Sequence, residues 1–123
     1  MSGTLRPSLW RRIGNSWRAR GRKPGTVDIT PDGLVFTRGR NSKRIRWEDV
    51  VRIDGGSRDS LSIDLFFVVI HARDATMTID EFDDGFRVLE YAILERWPQV
   101  RERFVALQCG APHQPLYETL WQR

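Results

Sequence analysis

The residues that could perform nucleophilic or metal chemistry in this sequence are few and widely separated. Two histidines, His71 and His113, and one cysteine, Cys109, are present among 123 residues. A nucleophilic site needs a base beside the nucleophile, and a zinc site needs closely spaced nitrogen and sulfur ligands. No catalytic signature surrounds Cys109, and no Walker-type loop, GxGxxG, HExxH or GxSxG motif occurs. We therefore expect no catalytic residue, no metal site, no cofactor and no enzymatic activity.

The densest group of carboxylates spans residues 80–85, with the sequence DEFDDG. A calcium loop would place acids at alternating positions with a distal glutamate, and this segment lacks that spacing. Our main interpretation is a strand-to-helix turn whose acids favour the helix N-terminus. The alternative is an acidic contact surface for a partner, formed by Asp80, Glu81 and Asp83.

A basic stretch covers residues 38–46, on two adjacent predicted strands and the turn between them. Arginine forms paired hydrogen bonds with carboxylate or phosphate, and clustered cations attract anions. The stretch is either a solvated sheet face or a surface that binds a partner. Its candidate contact residues are Arg38, Arg40, Lys43, Arg44 and Arg46.

Charge is distributed unevenly along the chain. Residues 1–46 hold twelve Lys or Arg against two acids, a net charge of +10, and residues 47–123 carry −6, which gives +4 overall. Regions of opposite charge steer partners or one another. Trp10 and Trp17 stand among arginines near the N-terminus, so base stacking with phosphate neutralisation is an alternative use of this region.

Composition is that of one globular domain. Hydrophobic residues make up 40% and charged residues 29%, which argues against disorder over the whole chain. No apolar run reaches the roughly 18 residues of a membrane span, and the N-terminus lacks the apolar core of a secretory signal. A single cysteine excludes an internal disulfide. These features predict a cytoplasmic location.

Alternation of apolar and polar residues predicts strands from residue 26 onward. Residues 27–38 form a hairpin around the turn Pro31-Asp32-Gly33, and residues 43–47 form a third strand that buries Trp47. Residues 48–53 continue that strand or begin another. We interpret residues 54–60, rich in glycine and charge, as a loop. Residues 61–72 and 76–80 are predicted strands.

One strong helix is predicted from Asp83 or Asp84 to about Trp97, with either carboxylate as the N-cap. Its apolar residues Phe86, Leu89 and Ile93 recur at helical spacing and should be buried. A short helical stretch over residues 100–107 follows Pro98. The tail over residues 111–123 is predicted to be irregular, although it is too apolar to be free of the domain.

This order of elements resembles that of small bacterial pleckstrin-homology-like (PH-like) domain proteins. The resemblance rests on the hairpin, the segment Trp47-Glu48-Asp49-Val50, the later strands and the helix, and it covers about residues 26–97. It implies a mainly β (α+β) fold, with a curled antiparallel sheet or partly open barrel of about six to seven strands capped by one C-terminal amphipathic helix. Residues 1–25 would form a basic N-terminal arm, and residues 98–123 a C-terminal extension that packs on the domain.

The resemblance also implies binding rather than catalysis, of proteins, peptides or phosphoinositide headgroups. Our leading expectation is a non-enzymatic domain that recognises a protein partner, one specific form being an immunity or adaptor protein. Complementary charge would make that association fast and specific. The alternative is an anion-binding module that holds nucleic acid or phospholipid headgroups through the basic stretch.

Overall fold

The computed structural model describes residues 24–60, 63–109 and 117–123. The predicted N-terminal arm therefore lies outside the described residues, apart from residues 24 and 25. Seven strands, two α-helices and two short 3-10 turns are described. In chain order they are β1 (Thr26–Ile29), β2 (Gly33–Arg38), β3 (Asn41–Arg46), a 3-10 turn (Trp47–Asp49), β4 (Val50–Ser60), β5 (Ile63–Ala72), β6 (Thr76–Asp80), α1 (Phe86–Arg96), a second 3-10 turn (Pro98–Val100), α2 (Arg101–Cys109) and β7 (Tyr117–Gln122).

The strands form two antiparallel sheets, one of order β1-β2-β3 and one of order β6-β5-β4-β7. A mainly β, antiparallel fold is confirmed. The described strands form two sheets, whereas the expectation was one curled sheet or a partly open barrel. The chain changes sheet at the first 3-10 turn. There the Trp47 N–H still donates to the Asp32 carbonyl in the turn between β1 and β2, whereas the Asp49 carbonyl accepts from the N–H of Arg73, just after β5.

The predicted loop over residues 54–60 is wrong, because these residues continue β4. Gly55 and Gly56 pair with Val68 and Phe67 of β5. A Cβ at Gly55 would lie 2.9 Å from the Leu120 side chain and 3.1 Å from that of Leu107. The glycine therefore allows a close approach between β4 and the C-terminal elements, which is a known use of glycine within strands.

The predicted irregular tail is also wrong where the structure describes it. β7 pairs antiparallel with β4, with a register shift between Ile53 and Asp54. Strand β7 thus becomes an edge of the four-stranded sheet and buries Leu120 in the core. The burial of Leu120 and the packing of Trp121 against the core follow from this pairing.

One apolar core lies between the sheets and the helices. Phe86, Leu89 and Ile93 of α1 are fully buried, and Trp47 is buried with 6% of its surface exposed, so both predictions are confirmed. Within residues 98–123, Phe104 of α2 joins the same cluster. Helix α2 confirms the predicted helical stretch over residues 100–107, so two α-helices follow the first six strands where the resemblance implied one capping helix. No helix of the described residues has the length and apolar character needed to cross a membrane.

Helix α1 begins differently from the sequence prediction. Its N-cap is Gly85, with φ +89°, and no side chain caps it, so the predicted capping by Asp83 or Asp84 is wrong. A Cβ at Gly85 would lie 2.3 Å from the Val27 carbonyl oxygen. Only glycine combines that positive φ with such close contact to β1. The two aspartates are held by β1 and β6 instead, as described below.

Leu89→Ala should lower the free energy of unfolding by about 2–5 kcal/mol, because it removes a fully buried side chain from the core. The matched control is Val88→Ala, on the same helix with 55% of its side chain exposed, which should change stability by less than about 0.5 kcal/mol. Urea denaturation of both variants measures the difference. Equal losses would contradict the register of α1.

Candidate functional site

The β2–β3 hairpin presents the basic stretch at the edge of the smaller sheet. Its two strands pair from Gly33↔Arg46 to Arg38↔Asn41 without a register shift. The two-residue turn between them places Gly39 at φ +62°, as turns that join antiparallel strands tightly require. β3 ends the strand order of its sheet, so no described strand pairs with its outer side.

The five predicted basic contacts do not form one uniform face. Because side chains alternate along a strand, Lys43 shares the core side of β3 with Ile45, and Arg44 and Arg46 lie on the opposite side. The Lys43 ammonium donates to the Thr76 carbonyl at 3.3 Å, at the rim of the core. Arg46 forms an ion pair with the exposed Glu48.

Arg38 also has partners within the fold. Its guanidinium lies 3.5 Å from the Asp83 carboxylate and 4.8 Å from the centre of the Phe36 ring. Arg40 and Arg44 are exposed and form no ion pair with any described residue. Among the described residues, Arg40, Lys43 and Arg44 meet no carboxylate, so the hairpin offers three cations to a partner instead of the five that the sequence suggested.

Two of the three predicted acidic contacts are buried. Asp83 accepts hydrogen bonds from the backbone N–H groups of Gly25, at 2.7 Å, and of Asp80, at 3.0 Å. The Asp80 carboxylate accepts from the Phe82 N–H. Burial removes both aspartates from any surface that a partner could touch, which corrects the prediction for them. They connect β1, β6 and the start of α1.

Glu81, the third acidic candidate, is half-buried and partly engaged. One carboxylate oxygen accepts from the Phe66 N–H at 2.8 Å, and the other lies 3.2 Å from the Arg87 guanidinium. Burial raises the pKa of Glu81 above its ordinary value, although the Phe66 hydrogen bond and Arg87 oppose that shift. Its main contacts are thus internal to the domain.

An open depression of about 350 Å³ lies where β3 ends. Its lining combines cations, carboxylates and two indole rings, from Pro31, Asp32, Arg46, Trp47, Glu48, Arg96 and Trp97. The Arg96 guanidinium lies 5.1 Å from the Trp47 ring centre and donates to the Pro31 carbonyl at 3.0 Å. Such a mixture of arginine and tryptophan is typical of protein-binding surfaces.

A polar cluster that the sequence analysis missed occupies the outer side of the larger sheet. The Asp54 side chain is fully buried and accepts hydrogen bonds from the Tyr117 hydroxyl at 2.6 Å, His71 Nε2 at 2.9 Å and Arg52 Nε at 3.2 Å. Burial alone would raise the pKa of Asp54. The effect of burial is outweighed by hydrogen bonds from Tyr117, Thr119 and His71 and by the positive charge of Arg52. The pKa of Asp54 therefore falls below its ordinary value.

Side-chain hydrogen bonds of the cluster connect strands β4, β5 and β7. An ionised carboxylate only accepts hydrogen bonds, so the contact assigns a proton to Nε2 of His71. Within the described part of the chain, no hydroxyl or thiol group is hydrogen-bonded to the His71 ring. The arrangement fixes β7 and β5 against β4 and does not position a nucleophile. The sequence does place Arg52 and Asp54 two residues apart, which in a strand puts both side chains on the same side of the sheet. The interpretation of residues 54–60 as a loop did not use this spacing.

Two further observations bear on function, one on metal ligands among the described residues and one on similar proteins. No group of three or more His, Cys, Asp or Glu side chains in residues 24–60, 63–109 and 117–123 is arranged to hold a metal ion. Comparison with protein-family models, curated proteins and solved structures finds no match to the chain.

Asp54→Asn should lower the free energy of unfolding by about 1–3 kcal/mol at neutral pH, because it weakens hydrogen bonds to a buried ionised group. The folded state lowers the pKa of Asp54, so the stability it contributes is present above the ordinary value of 3.8 and is lost as pH falls through the lowered pKa. The difference in free energy of unfolding between the wild type and the variant should therefore become smaller below about pH 3.8.

Denaturation curves at several pH values measure that difference. Glu81, whose pKa is raised, changes the pH dependence of stability in the opposite direction. Both proteins contain Glu81, so its effect cancels in the difference between their free energies of unfolding. Asp28→Asn, at an exposed position of β1, is the matched control for the loss of one carboxylate outside the cluster. A wild-type advantage that grows towards acid pH would rule out the ionised cluster.

Proposed function

We propose that this protein is a non-enzymatic binding domain whose β2–β3 hairpin recognises an acidic surface of a protein partner. One observation carries the proposal: Arg40 and Arg44 are exposed on the hairpin without any ion pair among the described residues. Uncompensated cations on a projecting element attract an oppositely charged partner and accelerate encounter. The rigid pairing of β2 with β3 holds them in place.

The depression beside the hairpin supports a protein partner over a phosphate-bearing one. Its two arginines are accompanied by the carboxylates of Asp32 and Glu48, which repel phosphate. Trp97, which is partly exposed, supplies aromatic area of the kind that protein interfaces favour. A nucleic acid or phospholipid surface would instead be favoured by the surplus of cations in residues 1–46, and it stays the alternative that the experiment must separate.

We extend the proposal to the type of domain and its role. A three-stranded and a four-stranded antiparallel sheet with a helix against the core support the PH-like resemblance, although β7 follows the helices in this chain. An immunity or adaptor protein in the cytoplasm is the role that suits a small domain with strong charge asymmetry. Such proteins associate through complementary fields.

The double variant Arg40→Glu/Arg44→Glu should slow association with the partner by about tenfold or more while leaving the fold intact, because both side chains are exposed. The control Arg101→Glu/Arg103→Glu makes the same change in net charge at exposed positions of α2, away from the hairpin. Partner capture from native lysate, followed by association and dissociation kinetics at several salt concentrations, provides the measurement.

Binding of DNA and anionic liposomes is measured in parallel with both variants. The proposal expects neither to bind at micromolar concentration at physiological ionic strength. Tight, salt-sensitive binding of either one, abolished by the hairpin variant, would instead support the anion-binding alternative. Equal effects of the hairpin and control variants on the partner would show that net charge alone acts.

A further inference from the structure

The outer side of β3 is a strand edge whose backbone groups have a defined alternation. Trp47 N–H donates to the Asp32 carbonyl, and the register pairs Ile45 with Leu34. In an antiparallel pair, hydrogen-bonded residues alternate with residues whose N–H and C=O groups point away. The groups of Ser42, Arg44 and Arg46 therefore point to the outer edge, away from β2.

This edge lacks two common forms of protection. β3 pairs with β2 over six consecutive residue pairs without a bulge, and its segment contains no proline. No described strand covers it. Proteins also protect such edges with charged side chains, and this form is present: Lys43, Arg44 and Arg46 discourage an incoming strand unless that strand brings compensating negative charge.

We propose that the β3 edge binds an extended acidic segment of a partner protein as an added strand. This inference rests on the proposed function and names its mode of recognition. Backbone hydrogen bonds to residues 42, 44 and 46 would supply affinity that does not depend on sequence, and alternate side chains would supply specificity. Acidic residues at every second position would stand on the side of the enlarged sheet that carries Arg44, which has no ion pair with a described residue.

The depression extends the same site beyond the end of β3. Arg46 is the last residue of β3 and also lines the depression, so a strand that follows the edge passes directly into it. There Arg46 and Arg96 flank the Trp47 and Trp97 rings. The segment that fits is therefore acidic along the edge and carries an apolar or aromatic residue next to its acids at this end.

Segments of this same chain are poor occupants of the edge. A second copy of β3 would bring Lys43, Arg44 and Arg46 against identical cations, and like charges opposed across strands are destabilising. Residues 1–23 contain seven Lys or Arg and no acid, so their sequence offers no negative charge to compensate the cations of the edge. Charge thus favours a different, acidic chain.

The first test uses an acetylated hexapeptide of alternating Glu and Val as the probe, observed by amide NMR of the full chain. We expect shift changes and slowed hydrogen exchange at the N–H groups of residues 42, 44 and 46. Two N-methylated isomers, one methylated at the Glu amides and one at the Val amides, are the matched pair. Only one edge of an added strand faces β3, so one isomer should lose binding and the other should retain it.

The second test changes the protein. Ser42→Pro removes an outward N–H without removing a bond to β2, so the fold should persist and affinity for the peptide should fall about fivefold or more. Ser42→Ala keeps the N–H and should bind as wild type does. If Ser42→Pro fails to fold, the methylated peptides still decide the question.

The outcomes separate this inference from the proposed function. Equal binding of both methylated isomers, equal loss in both, or no binding of the peptide overturns strand addition. If the Arg40→Glu/Arg44→Glu variant still slows association with the protein partner in those cases, the proposed function stands. If DNA or anionic liposomes bind instead and the peptide does not, both proposals fail.

Discussion

The relative placement of the two sheets depends on one buried carboxylate. Asp83 accepts backbone hydrogen bonds from Gly25, just before β1, and from Asp80, at the end of β6. The main chain continues the connection, since the Val27 N–H donates to the Asp84 carbonyl and the Asp84 N–H to that of Gly25. A buried charge is tolerated only when hydrogen bonds satisfy it, and here the donors come from both sheets. The hairpin is thereby fixed with respect to the larger sheet.

Features that depend on neighbouring residues could be predicted from the sequence, and features that depend on distant contacts could not. The hairpin, the burial of Trp47 and the apolar stripe of α1 follow from local periodicity. The continuation of β4 through Gly55 depends on Leu107 and Leu120, which no local pattern connects to it. A glycine pair within a charged segment indicates a loop until the strand that lies against it is known.

The same limit applies to the candidate site. Sequence identifies Arg38 and Lys43 as cations, but their partners lie elsewhere in the fold: Asp83 is 45 positions from Arg38, and Thr76 is 33 positions from Lys43. Only the folded chain shows which charges are compensated. The Asp54 cluster was hidden for a related reason, because Tyr117 reaches it only after β7 has paired with β4.

In the proposed strand addition, charge at the β3 edge would serve protection and recognition by the same physical effect. An uncharged or basic strand that approaches would desolvate Arg44 without compensating it, so the edge resists self-association. An acidic strand removes that cost and gains the backbone hydrogen bonds as well. Selectivity therefore arises as much from the unfavourable alternatives as from the favourable contact. Because these cations are exposed, salt screens both effects together, and an edge that becomes less selective at high salt also becomes less well protected.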